Sequence, residues 1–486
     1  MKLGKHIFSV GAMTAISRAF GFIRDMLIAR YLGAGRLSDI FFAAFKLPNM
    51  FRDLLGEGAL SSIFVPMFTD CKKDENFAKN VFSWLMVILL GITIVCLIFM
   101  PLLIWMLTPG FASDPGKMEL TVLISRIMFF YVIFVCGSAF LSAILNAFSK
   151  FVLAAFMPVL LNLMLICALL VAGHYSAGTL LYIMSFVVVL SGIVQLGILW
   201  VRIRRKHFGL RLVIPKWTPK IKKLFKHLGT NILGSGFYQI NIIIGTLVAS
   251  FQSGAVSWLY YTDRLVQLPF AIIGLSAGTV LLSSISNAMA EKKIRIVHAQ
   301  QNYSIRQSMM LILPSMVGLF VLARPIIKHL LEYGAWTPES TTAVAMAIMI
   351  QVLVLPAMVT SQVYSRTLYA VQDVKTPVKT SIISLIVASI LFLALFPVIG
   401  YLSVPVGIVV GGYLKNWLMG RICRGRGLFQ LELRTVRTVS AYAVLSIILG
   451  AILCFVPISG ILSLILAMGG FAALYMPIAI LIGKKL

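Results

Sequence analysis

The sequence predicts an all-α polytopic membrane protein with about fourteen transmembrane helices, and three observations lead to that fold class. Hydrophobic residues make up 60% of the 486 positions and charged residues only 12%, whereas soluble domains have about 45–50% and about 25%. The apolar residues fall in blocks of about 20–27 residues, each long enough to cross the hydrocarbon core as a helix. Blocks such as 87–107 are apolar on every side, without the alternation of a membrane-spanning strand. A soluble fold and a β-barrel are therefore excluded.

The apolar blocks define the predicted spans in chain order. They cover residues 6–32, 39–67, 79–107, 119–147, 152–173, 180–201, 228–251, 256–285, 307–332, 341–363, 377–398, 401–420, 438–456 and 460–483. Connections between them alternate between two sides, and the basic residues concentrate on the side that holds both termini, for example Lys72, Lys150 and Lys484. By the positive-inside rule this side is the cytoplasm. The even number of spans then places both termini there.

One long polar segment divides the chain. Residues 202–227 contain ten basic residues and no acidic residue. We interpret the segment as a basic cytoplasmic linker that fixes topology and attracts anionic membrane lipids, with a partner-binding or regulatory role as the alternative. It separates an N-lobe (residues 1–201) from a C-lobe (residues 228–420), and residues 421–486 add two further spans. The formal charge of +27 does not indicate nucleic-acid binding, because no polar basic domain accompanies it.

A short motif occurs in both lobes. In the second and eighth spans a Leu-Pro pair precedes a double serine at a similar interval, namely Leu47-Pro48 before Ser61-Ser62 and Leu268-Pro269 before Ser283-Ser284. Both spans begin on the outer face, so the repeat is parallel, and it favours two pseudo-symmetric lobes and alternating access. A chance match is the alternative. Pro48 and Pro269 are predicted hinges, because proline breaks a helix and is tolerated in membranes where the freed backbone lines a cavity.

Ionisable residues lie inside several spans, where each costs about 2.5–3.5 kcal/mol. They are Arg18, Arg24 and Asp25 in the first span, Asp39, Lys46, Arg52, Asp53 and Glu57 in the second, and Asp263 and Arg264 in the eighth. Arg18 and Asp25 share one helix face. One interpretation is salt bridging between the arginines and the carboxylates. The other is a cationic cavity for an anionic head group, because guanidinium groups bind phosphate in a bidentate manner. For Lys46 both interpretations remain open.

No metal or cofactor site is predicted. The six cysteines and six histidines show no metal-ligand spacing. The sequence therefore predicts a protein without a metal or a cofactor, and the internal repeat favours a transporter over an enzyme.

The segments that carry the intramembrane charges also resemble a known family. They are SRAFGFIRDMLIARYLGAGRLSDIFFAAFKLPNMFRDLLGEGALSSIFVPMF (17–68), YYTDRLVQLPFAIIG (260–274) and, more loosely, SRTLYAVQDVKTP (365–377). They resemble the MviN/MurJ family of lipid II flippases, within the multidrug/oligosaccharidyl-lipid/polysaccharide exporter superfamily. The resemblance implies a multi-pass protein of the bacterial inner membrane that moves lipid II, the undecaprenyl-pyrophosphate-linked peptidoglycan precursor, to the outer leaflet. Roles in cell wall biogenesis and cell shape would follow.

The resemblance also implies roles for individual residues. Arg18, Arg24, Arg52 and Arg264 match the family's cavity arginines, and Asp25, Asp39 and Glu57 match positions regarded as functional. Lys46 and Asp263 complete the predicted substrate site, spans 13 and 14 would hold the lipid tail, and the protein would act as a monomer. The chain departs from the family in spans 7, 11 and 12, which offer no mid-membrane acid for a sodium site, only Gln239, Asn241 and Asn416.

Two alternative functions differ in the residues they need. A drug or cation exporter of the same superfamily would need carboxylates for a cationic substrate, whereas here the intramembrane surplus is positive. A membrane glycosyltransferase acting on polyprenyl-linked sugars would need a catalytic carboxylate and a large outer loop. Asp39 is the only candidate base, and the longest outer loop covers only residues 109–118. The energy source of transport does not follow from the sequence.

Overall fold

The computed structural model describes residues 2–56, 59–71, 73–205, 209–274, 281, 284–286, 288–289, 291 and 293–485. Over these residues the secondary structure consists of helices and turns, without a strand. The all-α prediction is therefore confirmed.

Eleven α-helices form the first part of the chain. They are α1 (Lys2–Leu32), α2 (Arg36–Phe51), α3 (Ala59–Asp70), α4 (Glu75–Ile98), α5 (Met100–Leu107), α6 (Pro115–Phe129), α7 (Tyr131–Ala147), α8 (Phe151–Ala172), α9 (Ala177–Arg204), α10 (Pro219–Ala249) and α11 (Ala255–Pro269). A π-helix (Arg52–Gly56) lies between α2 and α3, and a second π-helix (Phe270–Gly274) follows α11.

The later part continues in the same manner. Its helices are α12 (Ile294–Leu331), α13 (Pro338–Gln351), α14 (Leu355–Ala370), α15 (Lys375–Ile399), α16 (Ser403–Gly425), α17 (Leu433–Cys454) and α18 (Ile461–Lys485). Short 3-10 helices connect α13 to α14 (Val352–Val354) and α15 to α16 (Gly400–Leu402). A further one, Pro109–Ser113, connects α5 to α6 in the first part of the chain.

The predicted spans correspond closely to these helices. Where its residues are described, each predicted span falls on one helix or on consecutive helices. Nine helical stretches within the described ranges are long and apolar enough to cross a membrane, judged by length and composition. The number of fourteen crossings therefore remains a prediction.

The basic segment is partly helical. Helix α10 begins at Pro219, earlier than the span start predicted at residue 228, because Thr218 caps it with a hydrogen bond from the Ile221 amide and proline suits the first turn. Among the described residues of this segment, 209–218 form a connection without regular secondary structure. That connection is attached to α4, where the Asn80 side chain accepts from the Lys216 amide and donates to the Lys216 carbonyl, both at 2.7 Å.

The chain divides into two compact units. The first comprises residues 1–257 and 334–336, and the second comprises residues 258–333 and 337–486. In the first unit α1 packs against α8, α7 against α9 and α2 against α6. In the second unit α15 packs against α16 and α12 against α17.

Both prolines predicted as hinges lie next to a π-helix. Pro48 lies inside α2, one turn before the first π-helix, and Pro269 ends α11 immediately before the second. Proline lacks the amide proton of the regular helical ladder, and π-helical turns mark places where that ladder is interrupted. The two units therefore share a local irregularity at the repeated motif. The serine half of the motif includes Ser283, which lies outside the described residues.

We expect Pro48→Ala and Pro269→Ala each to slow conformational switching while leaving insertion intact. An alanine restores the missing amide, so a regular helix can replace the interrupted one. The measurement is the rate at which single cysteines introduced near Arg18 react with an impermeant thiol reagent. Pro66→Ala, in the neighbouring α3, is the control for loss of a helical proline. Unchanged labelling rates in both hinge variants would leave the prolines as packing features.

Candidate functional site

A buried charged pair lies on α1. The side chains of Arg24 and Asp25 are 6% and 3% exposed, and Arg24 Nη2 lies 2.7 Å from Asp25 Oδ1. Arg24 Nε donates to the same oxygen at 3.1 Å, and Nη1 donates to Asn162 Oδ1 at 2.9 Å. The guanidinium group is thus held on two sides. Such a pair is tolerated away from water because its members neutralise each other and are hydrogen bonded.

Asn162 is a member of this site that the sequence analysis missed. It lies on α8, and its Nδ2 donates to the Ser17 carbonyl at 3.1 Å while its Oδ1 accepts from Arg24. The two helices approach each other closely at Gly21, which has no side chain. A Cβ atom added at Gly21 would lie 3.4 Å from Asn162 Nδ2. The sequence does contain a signal for this residue, because Asn162 is the only residue with a side-chain amide in the apolar sequence of α8.

Arg18 differs from Arg24 in its surroundings. Its side chain is exposed, and among the described residues it has no ion pair within 4.0 Å. Although Arg18 and Asp25 share a helix face, Asp25 pairs with its immediate neighbour Arg24 instead. Arg18 can therefore contact a ligand without first breaking a salt bridge to a carboxylate.

The second predicted span contributes further polar contacts. In the π-helix, Arg52 Nη2 lies 3.1 Å from Asp53 Oδ1, with 25% and 38% of the side chains exposed. Asp53 Oδ2 also accepts from Gln239 Nε2 at 3.4 Å. On α2, Lys46 Nζ donates to the hydroxyl of Thr246. Glu57 lies outside the described residues.

Helix α10 supplies both of the neutral partners in these contacts. Gln239 and Thr246 are seven residues apart, which places them on one face of the helix. A polar stripe on α10 therefore faces the charged residues of the second predicted span.

Asp39 is the centre of a third cluster, the Asp39 clasp, formed by Asp39, Lys117, Gly254 and Ser257. Asp39 is fully buried, and its carboxylate accepts from Lys117 Nζ at 2.9 Å and from the Gly254 and Ser257 amides at 2.8 and 2.9 Å. The Ser257 hydroxyl adds a hydrogen bond of 2.7 Å. Gly254 has φ +83°, a conformation that favours glycine. The clasp thus fixes the start of α2 to α6 and to the loop before α11.

An exposed ion pair lies beside the clasp in sequence. Arg36 Nε lies 3.0 Å from Asp114 Oδ2, and both side chains are about half exposed. Asp114 also caps α6, and the Lys117 backbone amide, followed by the Arg36 guanidinium, lowers the pKa of its carboxyl group. Solvent screening makes such a pair weak compared with the buried clasp.

We expect Asp39→Asn to reduce the amount of folded protein. The substitution leaves the buried Lys117 ammonium without a counter-charge, which typically costs about 3–5 kcal/mol. Membrane abundance and the temperature of half-inactivation in detergent are the measurements. Asp114→Asn is the matched control, because solvent screening makes its exposed ion pair weak. Equal abundance and equal inactivation temperatures for the two variants would show that the clasp does not stabilise the fold.

The second unit contains the remaining predicted residues, Asp263 and Arg264, on α11. Asp263 Oδ1 accepts from Gln351 Nε2 at 2.5 Å. Arg264 is exposed, donates to the Tyr260 hydroxyl at 2.9 and 3.1 Å, and lies 5.0 Å from the centre of the Tyr260 ring. Tyr260 therefore orients the Arg264 guanidinium while leaving part of it accessible.

The geometry suits recognition of an anion rather than catalysis. Arg24, Arg52, Lys46 and Arg264 contact carboxylates, amides or hydroxyls, and these groups can be exchanged for phosphate oxygens. Among the residues that the structure describes, no group of three or more His, Cys, Asp or Glu side chains could hold a metal ion.

Comparison with solved structures defines the class of protein. The fold is similar to a lipid II flippase MurJ in an inward closed conformation, with a TM-score of 0.81, 24% sequence identity and coverage of 97% of this chain and 99% of that chain. It is also similar to an inward-facing multidrug resistance MATE family transporter of the MOP superfamily, with a TM-score of 0.68, 15% identity and coverage of 90% and 98%. The chain has the fold of MOP superfamily transporters.

Sequence comparison defines the family. The family model described as lipid II flippase MurJ matches residues 28–472. A probable lipid II flippase MurJ from Rhizobium tropici is 35% identical over 464 residues, covering 94% of this chain and 87% of the relative. A lipid II flippase MurJ from Burkholderia cenocepacia is 31% identical over 445 residues, covering 88% and 85%. The chain belongs to the MurJ lipid II flippase family, as the resemblance predicted.

Proposed function

We propose that this protein is a lipid II flippase, a transporter and not an enzyme, which moves the lipid-linked peptidoglycan precursor across the membrane. The observation that carries the proposal is the family match over residues 28–472. The intramembrane arginines supply the chemistry, because a diphosphate head group cannot enter a hydrocarbon core of about 30 Å without charge compensation.

The arginines divide into two groups by accessibility. Arg18 and Arg264 are exposed, so they make the first contacts with the diphosphate. Arg24 and Arg52 are held by Asp25 and Asp53. In each pair two guanidinium nitrogens donate to one carboxylate oxygen, and in the proposed exchange they donate to phosphate oxygens instead, which allows a bidentate contact.

The other predicted residues support the same site. Lys46, Glu57 and Asp263 adjust its charge and polarity, and Asp39 acts by fixing the start of α2. The apolar outer faces of α17 and α18, with exposed Ile447, Ile452, Leu462 and Leu466, support the assignment of residues 421–486 to the lipid tail. The lobes at residues 1–201 and 228–420 would then rock about the bound head group, with Pro48 and Pro269 as hinges.

The apolar helices and the family place the protein in a membrane as a multi-pass chain. Our proposal for its orientation is a bacterial inner membrane with both termini in the cytoplasm, because the Lys/Arg-rich connections mark the cytoplasmic side. We propose further that the transporter acts as a monomer.

We expect the connections at Cys71 and Gly425 to be cytoplasmic. In a cysteine-free background, an impermeant thiol reagent should label Cys71 and a Gly425→Cys variant in inverted vesicles and not in intact spheroplasts. Cys71 is partly exposed, and a Cβ atom at Gly425 meets no atom within 4 Å. Cys423, which the sequence places in the same connection, is fully buried and therefore unsuitable. Labelling of Cys71 and Gly425→Cys in intact spheroplasts would reverse the orientation.

A binding experiment separates the flippase from a cation exporter of the same fold. Purified protein is titrated with lipid II, with undecaprenyl phosphate as the lipid control and with an organic cation as the exporter substrate. We expect saturable lipid II binding that weakens as salt is raised, because the contacts are ionic. Binding and efflux of the cation without binding of lipid II would overturn the proposal.

A further inference from the structure

A groove of about 890 Å³ opens in the first unit between α1, α8 and α9. Its lining residues are distinct from those proposed to bind lipid II. The apolar part of the lining, which we call the wall, includes Met13, Leu145, Phe156, Ile198 and Val201. At Gly197, which also lines the groove, a Cβ atom would meet no other atom within 4 Å, so the wall is open there.

The rim of the groove is cationic. Lys150, Arg202 and Arg205 line it together with Ser149, and no carboxylate is among the lining residues. Arg202 and Arg205 are exposed. Lys150 directly precedes α8, and its own side chain does not cap that helix. The first amides of α8 add to the positive potential of the three cations.

The rim lies at the predicted cytoplasmic surface. Residues 148–150 connect two spans on the Lys/Arg-rich side, and Arg202 and Arg205 begin the basic segment that leaves α9. From that rim the apolar wall extends along α9 towards Gly197 and along α1 towards Met13. The groove therefore joins a cationic surface to the cytoplasmic half of the hydrocarbon core.

We propose that this groove is a binding site for an anionic phospholipid of the cytoplasmic leaflet. The lipid phosphate would contact Lys150, Arg202 and Arg205, and one acyl chain would lie against the wall formed by Phe156, Ile198 and Val201. A free phosphate would use the cations but not the wall, and a zwitterionic lipid would use the wall but gain less from the cations. The combination selects a lipid with a net negative head group. The proposal is independent of the substrate that the protein transports.

The first test removes the charge. The full chain, purified in a neutral detergent, is titrated with phosphatidylglycerol and with phosphatidylcholine, and bound lipid is counted by native mass spectrometry. We expect the double variant Arg202→Gln/Arg205→Gln to lose affinity for the tightest phosphatidylglycerol by roughly tenfold or more. Arg204→Gln is the matched control, because Arg204 lies on the same helical turn but over the Trp200 ring, 5.4 Å from its centre.

The second test adds a side chain at the apolar wall of the groove and leaves its three basic residues unchanged. Gly197→Leu should weaken phosphatidylglycerol binding, whereas Gly178→Leu, at the opposite end of α9 and also in open space, should not. Inorganic phosphate should compete only at far higher concentration than the lipid. Three results would each overturn the proposal: unchanged lipid affinity in the double arginine variant, equal affinity in the two glycine variants, or competition by inorganic phosphate at lipid-like concentration.

Discussion

Arg24→Ala should nearly abolish accumulation of the protein in the membrane, and Arg24→Ala combined with Asp25→Asn should restore it. The single substitution leaves the Asp25 carboxylate, only 2% exposed, without its cation. Such a loss typically costs about 3–5 kcal/mol, a large share of a total stability of about 5–15 kcal/mol. In the double variant the buried charge is absent, so this cost does not arise.

Membrane abundance and lipid II transport must be measured on the same samples. Arg52→Ala is the matched control, because the Arg52–Asp53 pair is also formed by adjacent residues but is more exposed, so we expect a much smaller loss of abundance. The transport measurement shows whether Arg24 has a role beyond stability. We expect the Arg24→Ala/Asp25→Asn variant to be abundant but inactive in transport, since it lacks a phosphate-binding arginine. Wild-type abundance of Arg24→Ala would contradict the buried pair. Full transport by the double variant would limit Arg24 to a structural role.

Arg18→Ala and Arg264→Ala should have the opposite effect, normal abundance with loss of function. Both side chains are exposed, so we expect their removal to change folding stability little. We expect either variant to fail to rescue growth of a strain depleted of its own flippase. Arg→Lys at the same positions should rescue in part, because an ammonium group lacks the bidentate geometry of guanidinium. Tyr260→Phe should also lower activity, since it removes the hydroxyl that orients Arg264.

Arg126→Ala is the control for these two variants. Arg126 is an exposed arginine on α6 and belongs to none of the clusters described above. We expect it to support growth at the wild-type level. Growth of the Arg18→Ala and Arg264→Ala strains at the rate of the Arg126→Ala strain would remove these two arginines from the site.

The positions of the helices followed from the sequence because membrane insertion depends on the hydropathy of continuous segments. Hydropathy locates the apolar part of a helix and not its ends, which explains why α10 begins before residue 228. Its first turns are basic and belong to the aqueous interface. The helix start depends instead on the Thr218 cap, a local feature that can be read from the sequence.

The candidate site was only partly predictable. Charged residues are conspicuous in apolar spans, so Arg24, Asp25 and Asp263 could be selected from the sequence. Their partners could not be selected in the same way, because Asn162 and Gln351 come from helices far along the chain and meet them only through packing. Helix periodicity paired Arg18 with Asp25, yet the long side chain of Arg24 reaches the adjacent carboxylate.

The most direct test of the account measures lipid II in reconstituted vesicles. Labelled lipid II is placed in both leaflets, and its exposure on the outside is followed by an impermeant reagent, with and without an imposed membrane potential. The account predicts exposure by the wild-type protein and by Arg126→Ala, and exposure no faster than in empty vesicles for Arg18→Ala/Arg264→Ala. If the Arg18→Ala/Arg264→Ala variant exposed lipid II at the wild-type rate, the account would be contradicted. It would also be contradicted if, under both conditions, the wild-type protein exposed lipid II no faster than empty vesicles do.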